Sequence, residues 1–597
     1  MRRAISSLAS LSSFPKPKLF SRPLLTGLFT HLPPPNPSPL SPPPFINPLL
    51  PFSFLSQFPR CPPSRRIQTL PFNPPPQPVA TAQEVFAAFE SLESTIDNDQ
   101  LGLAEHLDLL GSQDLEKALD FSLRALQFFE KRDGGWSLTV AKVLHLMGSI
   151  SCKMKRFDDS VESLDTAAQI LDALYRENSA NTDVLTVSIA VQLQLASTKT
   201  EMGRRWPALI NLQNSLELKG LILEHNSKEM GDAYKGLAEA YVVSLDYDKA
   251  LPLAFRALDI YSGQFGENSR DVVQIRRLLV VIYTGLEQNE EALEQNELSR
   301  RVLESLCVDE ELFRLEIDAA NIQIELGRFE QAINTLKRVI KQTDKGSEMR
   351  ALVLISMAKA FCSQENFGDC RRCLEIACSI LDKMEIMSPP MVAEAYADIS
   401  MLFETMNDFE IALTLMKRTL AILQDLPQSR HLEGSISARL GWLLLFTKRV
   451  PQSVPYLESA VEKLKDCFGP KHYGLGFVYK HLGKAYLDMD EPQSAVKMFV
   501  LAKEIIDKSF GLQHEDSIDT YQCIADAYGN MGRYDLAIEY QKHVLDAWEN
   551  HGPSAYDEYR ESLRLLEQLK KKLQGSRAAV FPANSLPQFL QERDVSN

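Results

Sequence analysis

No aspartate or glutamate occurs before Glu84. The same 83 residues hold 21 of the 33 prolines and eight basic side chains: Arg2, Arg3, Lys16, Lys18, Arg22, Arg60, Arg65 and Arg66. A segment so rich in proline cannot build long helices or a packed core. Beyond it proline becomes scarce, with 12 in the remaining 514 residues. A long apolar run is also missing: the patch Ile46 to Phe58 is too short to cross a bilayer and is broken by Pro48 and Pro51. The nine cysteines are scattered and odd in number, which excludes a disulfide framework. Equally absent are a glycine-rich phosphate loop, an HExxH pair, a GxSxG elbow and a dinucleotide fingerprint, and the ten histidines are dispersed. Cys370-x₂-Cys373 has metal-site spacing without the second pair that zinc requires. The expectation is therefore a non-catalytic protein with no catalytic, cofactor-binding or metal-binding residues, no cofactor and no small-molecule substrate.

Charge separates the chain into two materials. The net −15 of the whole becomes −23 over residues 84–597, which carry 56 basic and 79 acidic side chains. Such a body argues against nucleic acid as a partner, because phosphate contacts need clustered Lys and Arg. The leader, beginning MRRAISSLASLSSF, has the Ser, Arg and Leu content of an organellar transit peptide. Arginines at positions 2 and 3 point to the mitochondrion, and Ser64-Arg65-Arg66-Ile67-Gln68 resembles a matrix-processing neighbourhood. The chloroplast is the alternative address. A plain Pro-rich tail on a cytoplasmic protein is the third.

Length alone suggests about three to five domains, but self-similarity replaces that picture with one repeated unit. Tyr479 to Tyr486 aligns without gaps with Tyr521 to Tyr528, 42 residues later. A small residue then recurs in a second helix as Ala118, Ser160, Ala208, Ala250, Ala292, Ala332, Cys370, Ala412, Ser453, Ala495 and Ala537. A large side chain there would push apart two closely crossing helices. Cys370 belongs to this series, which makes it a packing residue. Another small residue stands twelve positions earlier, among them Gly148, Ala238, Ala358, Gly441 and Gly483. A third stands seven positions later, as at Ala125, Ala167, Ala257, Ala377, Ala460 and Ala502. The fold class read from this pattern is all-α, an α-solenoid of about eleven helix pairs in which each unit contacts only its neighbours. The organisation read with it is a disordered leader over 1–83, a repeat superhelix over 84–553, a C-terminal capping helix over 554–574 and a disordered tail over 575–597. Residues 84–98 are expected to shield the first unit.

The pattern resembles the tetratricopeptide repeat, W-x₂-L-G-x₂-Y followed by A-x₃-F-x₂-A. It is carried best by Tyr479, Leu482, Gly483, Tyr486, Ala495, Phe499 and Ala502. The unit of about 42 residues and the turns Phe265-Gly266-Glu267-Asn268, Phe468-Gly469-Pro470-Lys471-His472 and Phe510-Gly511-Leu512-Gln513-His514 look like the repeat of kinesin light chains and their plant light-chain-related relatives. That resemblance implies a right-handed superhelix and a protein-binding groove lined by the first helix of each pair. Two departures separate it from motor-cargo coupling. The Pro-rich leader stands where light chains carry a coiled coil, and Lys480-His481 and Gln522-Cys523 stand where light chains carry paired asparagines. The pair around Gln192 and Trp206 is degenerate.

On the groove side, Lys480 and Lys484 sit one helical turn apart with Arg439 in the preceding unit. Together they form a candidate basic pocket for an acidic peptide, beside Trp442 as an aromatic anchor. A solvated helix face is the simpler reading of the same residues. The functional expectation is a scaffold or adaptor of an organelle that binds partner segments in this groove. The alternatives are a cytosolic light-chain-related adaptor linked to cytoskeletal assemblies and an organellar RNA-processing factor. The last is disfavoured because one-base-per-repeat readers use shorter units and basic grooves.

Overall fold

The computed structural model describes residues 112–580, apart from 178–180, 307–308, 386–387 and 425. The leader, the expected shield at 84–98 and the end of the chain from 581 lie outside the described residues. Within them are twenty-two α-helices and no strand. The chain is an all-α solenoid of consecutive helix pairs. α1 (Ser112–Asp133) carries Ala118, the first of the small slots. Ten complete pairs follow: α2 (Leu138–Lys153) with α3 (Phe157–Glu177), α4 (Thr182–Glu201) with α5 (Arg205–Ile222), α6 (Lys228–Val243) with α7 (Tyr247–Phe265), α8 (Arg270–Gly285) with α9 (Asn289–Leu306), and α10 (Asp309–Glu325) with α11 (Phe329–Gln342). The series continues with α12 (Glu348–Ser363) and α13 (Phe367–Met384), α14 (Pro389–Thr405) and α15 (Phe409–Leu423), α16 (Arg430–Phe446) and α17 (Val450–Phe468), α18 (Tyr473–Asp488) and α19 (Pro492–Phe510), and α20 (Glu515–Asn530) and α21 (Tyr534–Asn550). α22 (Tyr556–Val580) ends the array and runs six residues past the helix end expected at 574.

The pairs share a plan. In seven of the ten a side-chain acceptor caps the first helix: Ser137, Asn181, Ser227, Ser269, Ser347, His472 and His514 each accept from an amide in the opening turn. The two helices then cross at the small residues. Ten of the eleven slot residues are exposed by 2% or less, Ala118 being the exception in the first unit. Glycine twelve residues earlier lets the crossing close. A Cβ on Gly148, Gly441 or Gly483 would lie 2.5–2.6 Å from Leu164, Leu457 or Phe499, respectively. Those three large residues each stand four positions after a slot, so glycine and bulk alternate across the crossing.

The turn between the helices of a pair has one further constant. Five residues before every slot from Ser160 onward, the backbone is left-handed. Glycine takes that place at 203, 327 and 532; elsewhere it is Lys155, Leu245, Glu287, Glu365, Asn407, Lys448 or Asp490, with φ between 59° and 63°. The conformation reverses the chain between antiparallel helices, and side-chain-bearing residues adopt it at a steric cost.

The helices group into two compact units, 437–465 with 470–580 in one, and 112–436 with 466–469 in the other. Inside the larger unit the neighbours-only expectation fails. The turn between α4 and α5 packs on a 3₁₀ turn at Pro427–Ser429 and on residues 467–469. Arg205 Nη2 donates to the Gln428 carbonyl at 3.0 Å, and Cys467 Sγ donates to the Gly203 carbonyl at 3.2 Å. Partners 223 and 264 residues apart thus meet across five units.

Candidate functional site

The candidate groove residues begin with α18. His472 caps it through Nδ1, accepting from Gly474 N at 3.2 Å, and its ring stacks on Tyr473. Gly476 and Gly483 turn one face of α18 onto α19, against Ile506 and Phe499. Lys480 and Lys484 project from another face toward α20. Lys480 Nζ lies 3.1 Å from Asp516 Oδ1 and 3.2 Å from Asp519 Oδ2, and Lys484 Nζ lies 3.2 Å from the same Asp519 oxygen. Only 5% of Lys480 is exposed, and its ammonium sits 5.0 Å from the centroid of the Phe477 ring. Lys484 stands at the rim with 42% of its side chain in solvent.

The electrostatics follow from burial. Burial opposes ionisation of Asp519, but Lys484 and Lys480 overcome it and hold the carboxyl well below the ordinary range. Burial likewise opposes the charge on Lys480, and Asp519 and Asp516 reverse that effect. His481 lies between the lysines; burial, then Lys484 and Lys480, keep it neutral. Burial raises the carboxyl of Asp526. The structure therefore brings the two lysines together over a pair of aspartates, and their charge is compensated inside the protein. Arg439, on α16, is only 1% exposed and offers a partner no surface. Trp442 stacks on Phe446 with centroids 5.5 Å apart, and Phe446 is 48% exposed. Of the four candidates, Lys484 and the Trp442–Phe446 stack face outward.

Sequence reasoning did not pair the lysines with Asp516 and Asp519, and the same device recurs elsewhere. Lys359 Nζ on α12 lies 2.9 Å from Glu325 at the end of α10, both side chains being 8% exposed or less. Arg314 reaches Glu348 at 3.8 Å, and Lys235 donates to Gln274 at 2.9 Å. Each joins first helices of consecutive pairs, with partners 34–39 residues apart. Opposite charges about one repeat apart were the available signal. Glu287 stands where two carboxylates meet: burial and then the nearby Glu325 raise it to about 7. Cys370 is fully buried and Cys373 nearly so, and burial pushes the Cys373 thiol up to about 11. A thiol held protonated is a packing group, since the thiolate is the reactive form. No cluster of three or more potential metal ligands occurs among the described residues, and none of the described helices is long and apolar enough to cross a membrane.

A tetratricopeptide-repeat family model matches residues 518–551, which cover most of α20 and all of α21. Two Arabidopsis thaliana proteins, KINESIN LIGHT CHAIN-RELATED 3 and KINESIN LIGHT CHAIN-RELATED 2, are each 26% identical to the chain, over 463 and 470 residues. The alignments cover 76% and 77% of this chain and 70% of each relative. The chain is a tetratricopeptide-repeat protein related to the kinesin light chain-related proteins. Among solved structures, the putative kinesin light chain TPR-like repeats of Podosopora anserina are 17% identical to it, with a TM-score of 0.30 over 33% of this chain and 95% of that one. As a tetratricopeptide-repeat protein it is a protein-interaction scaffold, and within the unit of residues 437–465 and 470–580 the first helices carry both the Lys480–Lys484 pair and the Trp442–Phe446 stack.

Proposed function

We propose that the protein is a non-catalytic adaptor of an organelle that binds extended partner segments along the first helices of its repeats. The observation that carries this reading is the series of ten helix pairs with a common left-handed turn and a common crossing. A construction of that kind repeats one surface in register, which suits recognition of a chain. The leader supports the organellar part through its composition. A fluorescent protein carrying residues 1–83 at its N-terminus tests the address: accumulation in mitochondria is expected, accumulation in plastids moves the address, and a diffuse cytosolic signal rejects import. The last outcome favours the second reading, a cytosolic light-chain-related adaptor linked to cytoskeletal assemblies. Binding is tested by proximity labelling with the wild type and with Trp442→Ala plus Lys484→Glu. Loss of a defined set of labelled proteins at unchanged melting temperature is expected. An unchanged set rejects this part of the face as the binding surface.

A further inference from the structure

The contact across five units has the features of a built device. Gly203 is left-handed, with φ +76°, like Gly327 and Gly532 at the equivalent turns. At those two sites a Cβ would meet nothing within 4 Å, whereas at Gly203 it would lie 2.4 Å from the Pro427 carbonyl and 2.7 Å from Arg430 Cβ. Gly469, φ +87°, is the second close approach: its Cβ would fall 2.8–3.1 Å from the ring of Trp206. Arg205 adds the hydrogen bond to Gln428, Cys467 the one to Gly203, and Arg430 pairs with Asp466 at 3.4 Å. Two glycines, a tryptophan, an arginine and a buried cysteine thus join the α4–α5 turn to the start of α16 and the end of α17.

We propose that this contact is an intramolecular clasp that fixes the geometry of the repeats between α4 and α16, and that acid opens it through protonation of His431.

His431 occupies the first turn of α16, next to the clasp, with its Nδ1 buried and without a hydrogen-bond partner. Burial holds it neutral, Arg205 from α5 repels a second positive charge, and the Gln428 carbonyl is its backbone partner. The other charged groups around the clasp are Glu201 at the end of α4, Glu394 on α14, Arg430 and Glu433 on α16, and Asp466 and the Cys467 thiol on α17. Burial raises the Cys467 thiol to about 12. Between pH 5 and 7 the imidazole is the group that responds. With the clasp closed its proton affinity is depressed; once opened to water it returns to the ordinary value of 6.5. Acid therefore favours the open form, by about tenfold for each pH unit below that value, and the closed form is fully favoured above it.

Hydrogen–deuterium exchange on the full chain tests both halves, read at residues 202–208 and 426–433 after correction for the intrinsic pH dependence of exchange. Wild type is expected to exchange several-fold faster, up to about 25-fold, in both segments at pH 5.0 than at pH 7.0, with the equivalent turn at 326–330 unchanged. His431→Gln removes that pH response. Gly203→Ala accelerates exchange at 426–433 at both pH values. Should that variant fail to fold, Arg205→Met is expected to do the same at pH 7.0 without backbone strain. A wild-type pH response that is absent, or that survives in His431→Gln, overturns acid opening. Exchange at 426–433 indifferent to both Gly203→Ala and Arg205→Met overturns the clasp itself.

Discussion

The pair α18–α19 and the pair α4–α5 occupy equivalent places in the repeat and solve the same packing problem with different residues. In α18–α19, Gly483 receives the ring of Phe499, and Ala495, Phe499 and Ala502 are all fully buried. In α4–α5 the residues buried on α5 are Ala208, Leu209, Asn211 and Ser215, two of them polar. Asn211 holds the pair through its amide, donating to Gln192 Oε1 at 2.6 Å and accepting from Lys199 Nζ at 3.0 Å. The one large aromatic of α5, Trp206, turns away from its own pair and packs on Gly469. The regular pair uses its bulk to hold its own two helices together. The irregular pair holds itself with hydrogen bonds and uses its bulk across five units.

The comparison breaks most readily at Phe499. Phe499→Ala is expected to cost about 3–5 kcal/mol in chemical denaturation, because a fully buried ring leaves a cavity. Gly483→Ala alone is expected to cost about 1–3 kcal/mol through overpacking. It becomes close to neutral in the Phe499→Ala background, where the obstructing ring is gone. Additive costs in the double-mutant cycle would show that the two residues do not share one contact.

Lys480→Met comes next, at about 1–3 kcal/mol, since it takes a buried ammonium from Asp516, which is 16% exposed, while Asp519, 47% exposed, keeps Lys484. The same network sets an acid limit. The depressed Asp519 carboxyl contributes stability that is present above its ordinary value of 3.8 and is lost as pH falls through the folded value below it. Melting temperature plotted against pH below about 4 should therefore be flatter in Asp519→Asn than in wild type.

In the irregular pair, Asn211→Ala is expected to cost about 1–3 kcal/mol, because Lys199 and Gln192 lose their buried partner. Asn211→Leu would sharpen the comparison. If apolar bulk rescues the loss, the hydrogen bonds fill space that a consensus residue could fill equally well. The smallest effect belongs to the exposed pair Arg328–Glu290, which joins consecutive units. Arg328→Gln should shift the denaturation midpoint by no more than about 1 kcal/mol of stability.

The fold was legible because a repeat states its crossing many times over. One glycine facing one phenylalanine is an accident; small residues at eleven slots, with Leu, Met or Phe four positions after seven of them, are a rule. The site was less legible. Lys480 and Lys484 stood out as positive charge in an acidic chain, but their counter-charges Asp516 and Asp519 lie on the next first helix, and the Coulomb balance is struck between repeats. Arg439 looked like a groove residue from its register, and packing buries it. The clasp could not be read from a periodic pattern at all, since periodicity describes neighbours and the clasp joins residues 223 and 264 positions apart. Its only trace was negative: the pair containing Trp206 departs from the repeat, as a sequence does where a residue serves a second master.

The left-handed turns carry a consequence for how such a chain drifts. Three of them use glycine and seven use a residue with a side chain, yet the backbone turns alike in all ten. A non-glycine residue there costs about 1–2 kcal/mol, a penalty that the helices on either side can absorb. Each turn is thus free to lose its glycine and regain it, one substitution at a time, without altering the path of the chain. Descendants of one ancestral unit can then cease to look alike in letters while remaining superimposable in dihedral angles. What the ten turns hold in common is written in φ, whatever the residue.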